Sequence, residues 1–564
     1  MITTPARVII IGLDGGTFDL LTPLMDSQVM PFLRSFYAES AHGTLHSTNP
    51  PTTPPAWTTC TTGLNPGRHG IFDFTVSPLA DPTRPLVSTR SAAGCRLWRW
   101  LTARNHRSVF VNVPITYPPE SIAGCMISGM MTPGYDSPFT HPPELKTRLK
   151  AVCGNYICNI DIPRYDTACE DDARHFILDV AECTERRREA VRHLMDTENW
   201  TVFMAVFVGM DRILHLFAKY LFPGNPLYDT APARRLRPLL LDEFRRLDSI
   251  IAEMVGHAHP GDMTMILSDH GFGTTDGFFN ANTWLKSLGL LAVKPAPYLR
   301  ARLFHTAHRI GDHPLIRSVI PAAAQSSIRH HIRHTRSTLH SARNDLEQII
   351  DWTRTQAFFG SIPTQGIYIN EKTPDNHRGI VASADVEPLR LVITDALRRL
   401  TLPGSDVPMT DAVWNREDVF HGDRTRFAPH LLFRMRNYAV LGRQHLGAPG
   451  YFSSAARVPI GFHRSNGIVM IRHPDIMPQA IEAAMADVMP TVLYAAGVPI
   501  PDNLDGHALV QLFSYSFRRT HPAAYEPVPD SLDTGSMLDP GPASCPDADR
   551  ITLETRLKHL GYLE

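Results

Sequence analysis

The sequence of 564 residues has no long hydrophobic run, no excess of charge of either sign and few cysteines. No stretch reaches the roughly 18 apolar residues that a membrane-spanning helix needs. The apolar run VIIIGL at 8–13 is too short, and wrongly flanked, for the core of a secretory signal. Against 56 Asp and Glu stand 55 Lys and Arg, so the global charge gives no reason to expect a nucleic-acid partner. Eight cysteines in a chain of this length are too sparse for a disulfide framework, and the gaps between Cys153, Cys158, Cys169 and Cys183 do not match a zinc ribbon. They read as free thiols. These absences leave a cytoplasmic, globular chain, long enough for one large domain with insertions or about three to four ordinary ones. Nothing in the sequence speaks to oligomeric state.

Several short runs rich in β-branched residues read as buried parallel strands: RVIIIG at 7–12, SVFVNV at 108–113, TVFMAVFV at 201–208, MTMILS at 263–268 and GIVMIR at 467–472. Each is apolar on both faces, as the inner strands of a sheet covered by helices must be. Between them Leu240, Phe244, Leu247, Ile251 and Met254 recur at intervals of three and four, which makes one helical face for packing on that sheet. The alternation predicts an α/β fold with a doubly wound, mostly parallel sheet and a helical insertion. Four linear segments are expected: a first part of the catalytic α/β core at 1–289, a basic helical insertion or cap at 290–350, a second part of the core at 351–515, and a Pro-rich arm with a C-terminal helix at 516–564. The insertion is drawn on composition, because residues 294–343 hold nine Lys or Arg and seven His against the single acid Asp312. It is either a solvated cap or an anion-attracting lid.

Ligands of doubly wound sheets bind beyond the carboxyl ends of the strands, so the polar residues that flank the apolar runs there are the informative ones. Asp14 follows the first run, with Gly15 and Gly16 beside it. Asp211 and His215 follow the third, four apart and on one face if a helix begins there. Asp269 and His270 follow the fourth, and His463 precedes the last on an expected loop. Singly, each has a structural explanation: an Asp after a strand is a common helix cap and a lone His a common core residue. Together, three Asp and three His offer the oxygen and nitrogen donors that two divalent ions, zinc or manganese, take. Such a pair can activate a hydroxyl and hold the leaving oxygen of an in-line displacement. A source of hydroxyls lies in the Thr-rich segment NPPTTPPAWTTCTTGLNPGRHG at 49–70.

The segments IIGLDGGTFDLL, TPPAWTTCTTGLNPGRHGIFDF, GMDRILHLF, LSDHGFG and GFHRSNGIVMI occur in that order and, together, resemble the type I phosphodiesterase/nucleotide pyrophosphatase branch of the alkaline phosphatase superfamily. They are closest to its bacterial group of predicted phosphohydrolases and phosphomutases. The resemblance runs from residue 7 to about 510 and implies an alkaline-phosphatase-like fold. It implies a nucleophilic Thr nine residues before the T-G-L that begins at Thr62, which is Thr53; Thr52 stands next to it. It further implies Asp14, Thr53, Asp269 and His270 around one ion and Asp211, His215 and His463 around the other, both ions being zinc as a rule. Two relatives are set aside on residues: Cys60 lacks the C-x-P-S-R context of a sulfatase, and phosphoethanolamine transferases carry membrane helices.

What the resemblance implies is a two-metal phosphohydrolase that cleaves a phosphodiester or nucleotide pyrophosphate through a phosphothreonine. Its partner is then a small-molecule phosphate ester or nucleotide. Nucleotide pyrophosphatases of this branch carry an Asn on a phosphoryl oxygen twenty-one residues after the nucleophile, where this sequence has Phe74. Arg212, Arg464 and Arg68 are the cationic candidates to hold that oxygen instead. Two alternatives stay open: a phosphomonoesterase or phosphotransferase/phosphomutase, and a catalytically inactive binding protein of the same fold.

Overall fold

The computed structural model describes residues 7–159, 165, 169–300, 302, 342–533 and 547–559. Most of the basic segment, and residues 534–546 of the arm, lie outside the described residues. The chain forms two compact units. One holds the described residues up to Thr275, Glu417–Ala428 and those from Arg457 onward; the other holds Asp276–Arg416 and Pro429–Ala456. These units cut across the linear segments drawn from the sequence, because residues from 351 to 456 mostly build a separate sheet rather than extend the first one.

The first unit is built on a nine-stranded sheet. Its strands are β1 (Val8–Leu13), β2 (Ala41–His46), β3 (Ser108–Val111), β4 (Gly124–Ile127), β5 (Thr140–His141), β6 (Val202–Phe207), β7 (Met263–Leu267), β8 (Asn466–Arg472) and β9 (Gln479–Ala484). They lie in the order β9-β2-β8-β7-β1-β6-β3-β4-β5. The inner pairs β7-β1, β1-β6, β6-β3 and β3-β4 are parallel, as their continuous apolar character predicts. The run GIVMIR departs from expectation: β8 is antiparallel to both β7 and β2. A strand buried on both faces reads the same in either direction, so composition could not fix its sense. Its reversal starts β8 at the edge where the parallel strands end.

Alternation along β1 divides its side chains between two cores. Val8 and Ile10 join Phe110, Met204, Val206 and Met265 in one cluster with Trp57 and Cys60. The helices Glu170–Thr197 and Ala231–Gly256 pack on one another, and the second packs on β1. None of their apolar residues belongs to that cluster, which puts them on the opposite face. Leu240, Phe244, Leu247, Ile251 and Met254 are buried, as their spacing predicts. With helices on both faces the sheet is doubly wound. Seven cysteines among the described residues are free thiols, and no helix among the described residues is long and apolar enough to cross a membrane.

The second unit carries a seven-stranded, largely antiparallel sheet that includes Ala357–Phe359, Gly366–Ile369, Leu431–Met435 and Val440–Arg443. In it His430 is fully buried, its Nδ1 accepting from the Ile369 amide at 3.1 Å and its Nε2 3.4 Å from Glu371 Oε2. Burial lowers its pKa to about 4 against the pull of Glu371. A histidine whose folded pKa lies below its unfolded value leaves stability unchanged above about pH 6.5 and removes it as the pH falls toward the folded pKa, because only the unfolded chain takes the proton. Between pH 6.5 and 4.5 the unfolding free energy should therefore fall by on the order of 2 to 3 kcal/mol more in the wild type than in His430→Asn. Urea titrations at both pH values measure the difference; equal slopes would remove His430 from the account.

Candidate active site

The helix α1 (Thr53–Thr62) opens with Pro54 and Pro55 in its first turn, where proline's missing N–H costs nothing, and ends at Gly63 in the left-handed region with φ 67°. All ten of its residues are buried. Four threonines inside a buried helix need partners for their hydroxyls. Thr61 and Thr62 donate back to the carbonyls of Trp57 and Thr58 at 2.9 and 2.7 Å, and Thr59 meets His69 Nε2 at 3.0 Å. Thr53 stands at the start of the helix, its hydroxyl turned to His270 Nε2 at 3.3 Å.

The sheet delivers the other residues to the same place. Asp14 follows β1, where its amide extends the ladder to the Phe207 carbonyl of β6. Asp269 and His270 follow β7. Helix α2 (Gly209–Leu221) begins directly after β6, so Asp211 and His215, four apart, share a face. His463 comes from a short strand, Gly461–Arg464, paired with Gly271–Thr274, and not from the expected loop. The ribbon sits just before β8, and the reversed sense of β8 is what brings His463 to this edge.

Seven expected residues thus come together. His270 Nε2 lies 3.3 Å from Asp269 Oδ2 and 3.7 Å from Asp14 Oδ1. His215 Nε2 and His463 Nε2 are 3.1 Å apart, and both face Asp211 Oδ1, at 3.4 and 3.5 Å. Two donor groups have ligand atoms within 4.8 Å of one another: Asp14, Asp269 and His270, and Asp211, His270 and His463. His270 belongs to both, whereas the family resemblance implies it for one ion alone.

Burial and charge pull these groups apart in protonation. Burial, then the neighbouring Asp269 and Asp211, pushes the Asp14 carboxyl well above its usual range. Burial and Asp211 do the same to Asp269. For Asp211 the upward push of burial is overcome by His215, His463 and Arg212, which hold it well below that range. Burial keeps His270 neutral and lowers the His463 pKa to about 4. The His463 Nδ1 lies 3.0 Å from the Pro51 carbonyl and the His270 Nδ1 3.1 Å from that of Gly271, which assigns the proton to Nδ1 in each and leaves Nε2 bare. Both oxygens of Asp14, Oδ1 of Asp211 and Oδ2 of Asp269 are buried without a hydrogen-bond partner. The bare Nε2 of His270 has no proton to offer the unpartnered oxygens of Asp14 and Asp269 that it faces, and a divalent cation shared by the three would satisfy them all. The residues fit metal ligation.

A family model described as type I phosphodiesterase / nucleotide pyrophosphatase matches residues 8–373. The chain belongs to this family. No curated protein matches it. Among solved structures it is similar to phosphonoacetate hydrolase from Sinorhizobium meliloti 1021 in complex with phosphonoacetate, at 14% identity and a TM-score of 0.49, covering 87% of this chain and 96% of that one. It is also similar to human ectonucleotide pyrophosphatase/phosphodiesterase 5, at 11% identity and a TM-score of 0.45, covering 90% and 98%.

In this type I phosphodiesterase family member the four other candidates are placed differently. Arg212 is fully buried beside the histidines, with Nη1 2.5 Å from Asp211 Oδ2 and Nε 3.3 Å from Asn159 Oδ1. Arg464 donates to the carbonyls of Phe462, His463 and Thr274, which ties its guanidinium to the ribbon. Arg68 donates to Asn503 O and Asp505 Oδ1. Phe74 is fully buried and offers no side-chain donor. Sequence reasoning missed Asn159, which flanks no apolar run, and the Pro51 and Gly271 carbonyls, because any residue supplies a carbonyl. It also passed over Trp57, one helical turn beyond Thr53.

Proposed function

We propose that the chain is a cytoplasmic two-metal phosphohydrolase that cleaves a phosphodiester or nucleotide pyrophosphate. The observation that carries this reading is the pair of buried donor groups that share His270, whose Nε2 lies 3.3 Å from the Thr53 hydroxyl. Asp14, Thr53, Asp269 and His270 would hold one ion and Asp211, His215 and His463 the other, zinc being the ion this nitrogen and oxygen donor set suits best, with manganese the next. When bound, the pair supplies positive charge that makes the Thr53 hydroxyl and water better nucleophiles and stabilises the leaving oxygen.

Thr53 Oγ1 gives up its proton to solvent as it attacks phosphorus. The new Oγ1–P bond forms while the P–O bond to the leaving group breaks, and the leaving oxygen departs with the electron pair. Water then attacks the phosphothreonine, forming a new O–P bond as the Oγ1–P bond breaks; Oγ1 leaves with the electron pair and takes up the proton that the water releases, which restores the hydroxyl. Phe74 replaces an amide that would donate to a phosphoryl oxygen, and Arg212 is a buried cation paired with Asp211, the carboxylate that both His215 and His463 face. Kinetics on the zinc-loaded protein should give a higher kcat/KM for bis(p-nitrophenyl) phosphate than for p-nitrophenyl phosphate. A monoester preference of about a hundredfold or more would overturn the diester assignment.

Arg212 supports a second reading, hydrolysis of a monoester or transfer of its phosphoryl group to an alcohol. A guanidinium can pair two free oxygens of a doubly charged phosphate. Product formed on an added alcohol in competition with water identifies transfer. An inactive binding protein of this fold would purify with substoichiometric metal and hydrolyse neither ester.

A further inference from the structure

Gly12 and Asp14 lie two apart on the extended backbone of β1 and its exit, and so project to the same face of the sheet. That face is the one occupied by Trp57, which packs in a cluster with Val8 and Ile10. A Cβ on Gly12 would meet Trp57 Cη2 at 2.6 Å and Cζ2 at 3.4 Å. The benzo edge over Gly12 is the edge that leads through Cζ2 to the indole nitrogen. Trp57 follows Thr53 by four residues on α1, so the two side chains rise from one helix face.

Trp57 is fully buried, and its Nε1 has no hydrogen-bond partner of full geometry; neither has either oxygen of Asp14. An unmet indole donor and an unmet carboxylate on the same face of the sheet are each stabilised by pairing with the other. We propose that Trp57 is a positioning residue whose indole N–H fixes the Asp14 carboxylate across the open face of Gly12. Glycine is required at residue 12 because a methyl group there would lift the indole edge off the strand. One helix then carries both the Thr53 hydroxyl and the group that orients the carboxylate beside it. The inference rests on the reading of Asp14 as a metal ligand, but the proposed bond itself needs no metal.

The test uses the full chain, labelled with ¹⁵N in its indoles and stripped of metal. The Trp57 Nε1–H resonance, identified by its loss in Trp57→Phe, should lie downfield and move upfield in Asp14→Ala. Gly12→Ala should move it the same way with Asp14 intact. In a zinc titration by calorimetry, Trp57→Phe should weaken one of two sites about 10- to 100-fold and leave the other unchanged, with the far-ultraviolet circular dichroism preserved. A resonance that stays put in both Asp14→Ala and Gly12→Ala, or equal zinc affinities in wild type and Trp57→Phe, overturns the proposal. A wild type that binds no zinc defeats the metal reading, and the resonance shift still decides the bond.

Discussion

Thr53→Ala is expected to lower kcat on the order of a thousandfold or more while leaving the metal content near that of the wild type. Thr53 is fully buried and places its hydroxyl 3.3 Å from His270 Nε2, which itself faces Asp14 and Asp269. Removing a nucleophile from an assembled site leaves the charge of the ions and the binding groups in place, so residual turnover remains above the rate in water. Thr52→Ala is the informative control. Thr52 sits in extended backbone at the N-cap of α1, and its side chain makes no capping bond, so its loss should change kcat and stability little. Steady-state kinetics with metal analysis on both variants decide the register. Full activity in Thr53→Ala with loss in Thr52→Ala would move the nucleophile by one residue, whereas Thr53→Ser, which keeps a hydroxyl, should retain part of the rate.

Most of this site was legible because the chemistry sits where strands end. Continuous apolar runs mark the strands, and a short polar sequence after such a run has one edge of the sheet to occupy, which is how Asp14, Asp211, Asp269 and His270 could be named together. His463 was named from its place before the last run but was put on a loop. Whether the run after it goes up or down the sheet depends on a two-stranded ribbon formed with Gly271–Thr274, a pairing across almost two hundred residues that no local pattern encodes. The second unit was missed for a related reason. Its strands are short, drawn from widely separated stretches of chain, and mixed with helix Ser383–Arg398, so periodicity offered no boundary between them and the first sheet. Arg464 shows the limit of reading function from adjacency: it follows a site histidine directly, yet its guanidinium serves three backbone carbonyls.

Substitution of the carboxylates should divide the metal content in a pattern that the shared histidine makes specific. Asp211→Asn and His463→Ala are expected to leave about one zinc per chain, and Asp14→Asn or Asp269→Asn to remove the other, since a site deprived of one donor competes poorly with water. His270→Ala should remove that same ion and weaken the other as well, because His270 lies in both donor groups. Chelation should act on stability as well. At a free zinc concentration a thousandfold above the dissociation constant, each ion adds about 4 kcal/mol to the folded state. The sign of the pH dependence follows from the carboxyls. Without metal, Asp14 and Asp269 have folded pKa values above their unfolded ones, so each costs stability at neutral pH, and that cost disappears as the pH falls below the unfolded value. With metal the same groups must be ionised to bind, so acid weakens the loaded form. The gap in melting temperature between zinc-loaded and chelated protein should therefore be widest near pH 7 to 8 and close toward pH 5, as calorimetric scans across that range would record. Inductively coupled plasma analysis that finds two ions per chain in all five variants, or a gap that widens on acidification, would remove these residues from the metal sites.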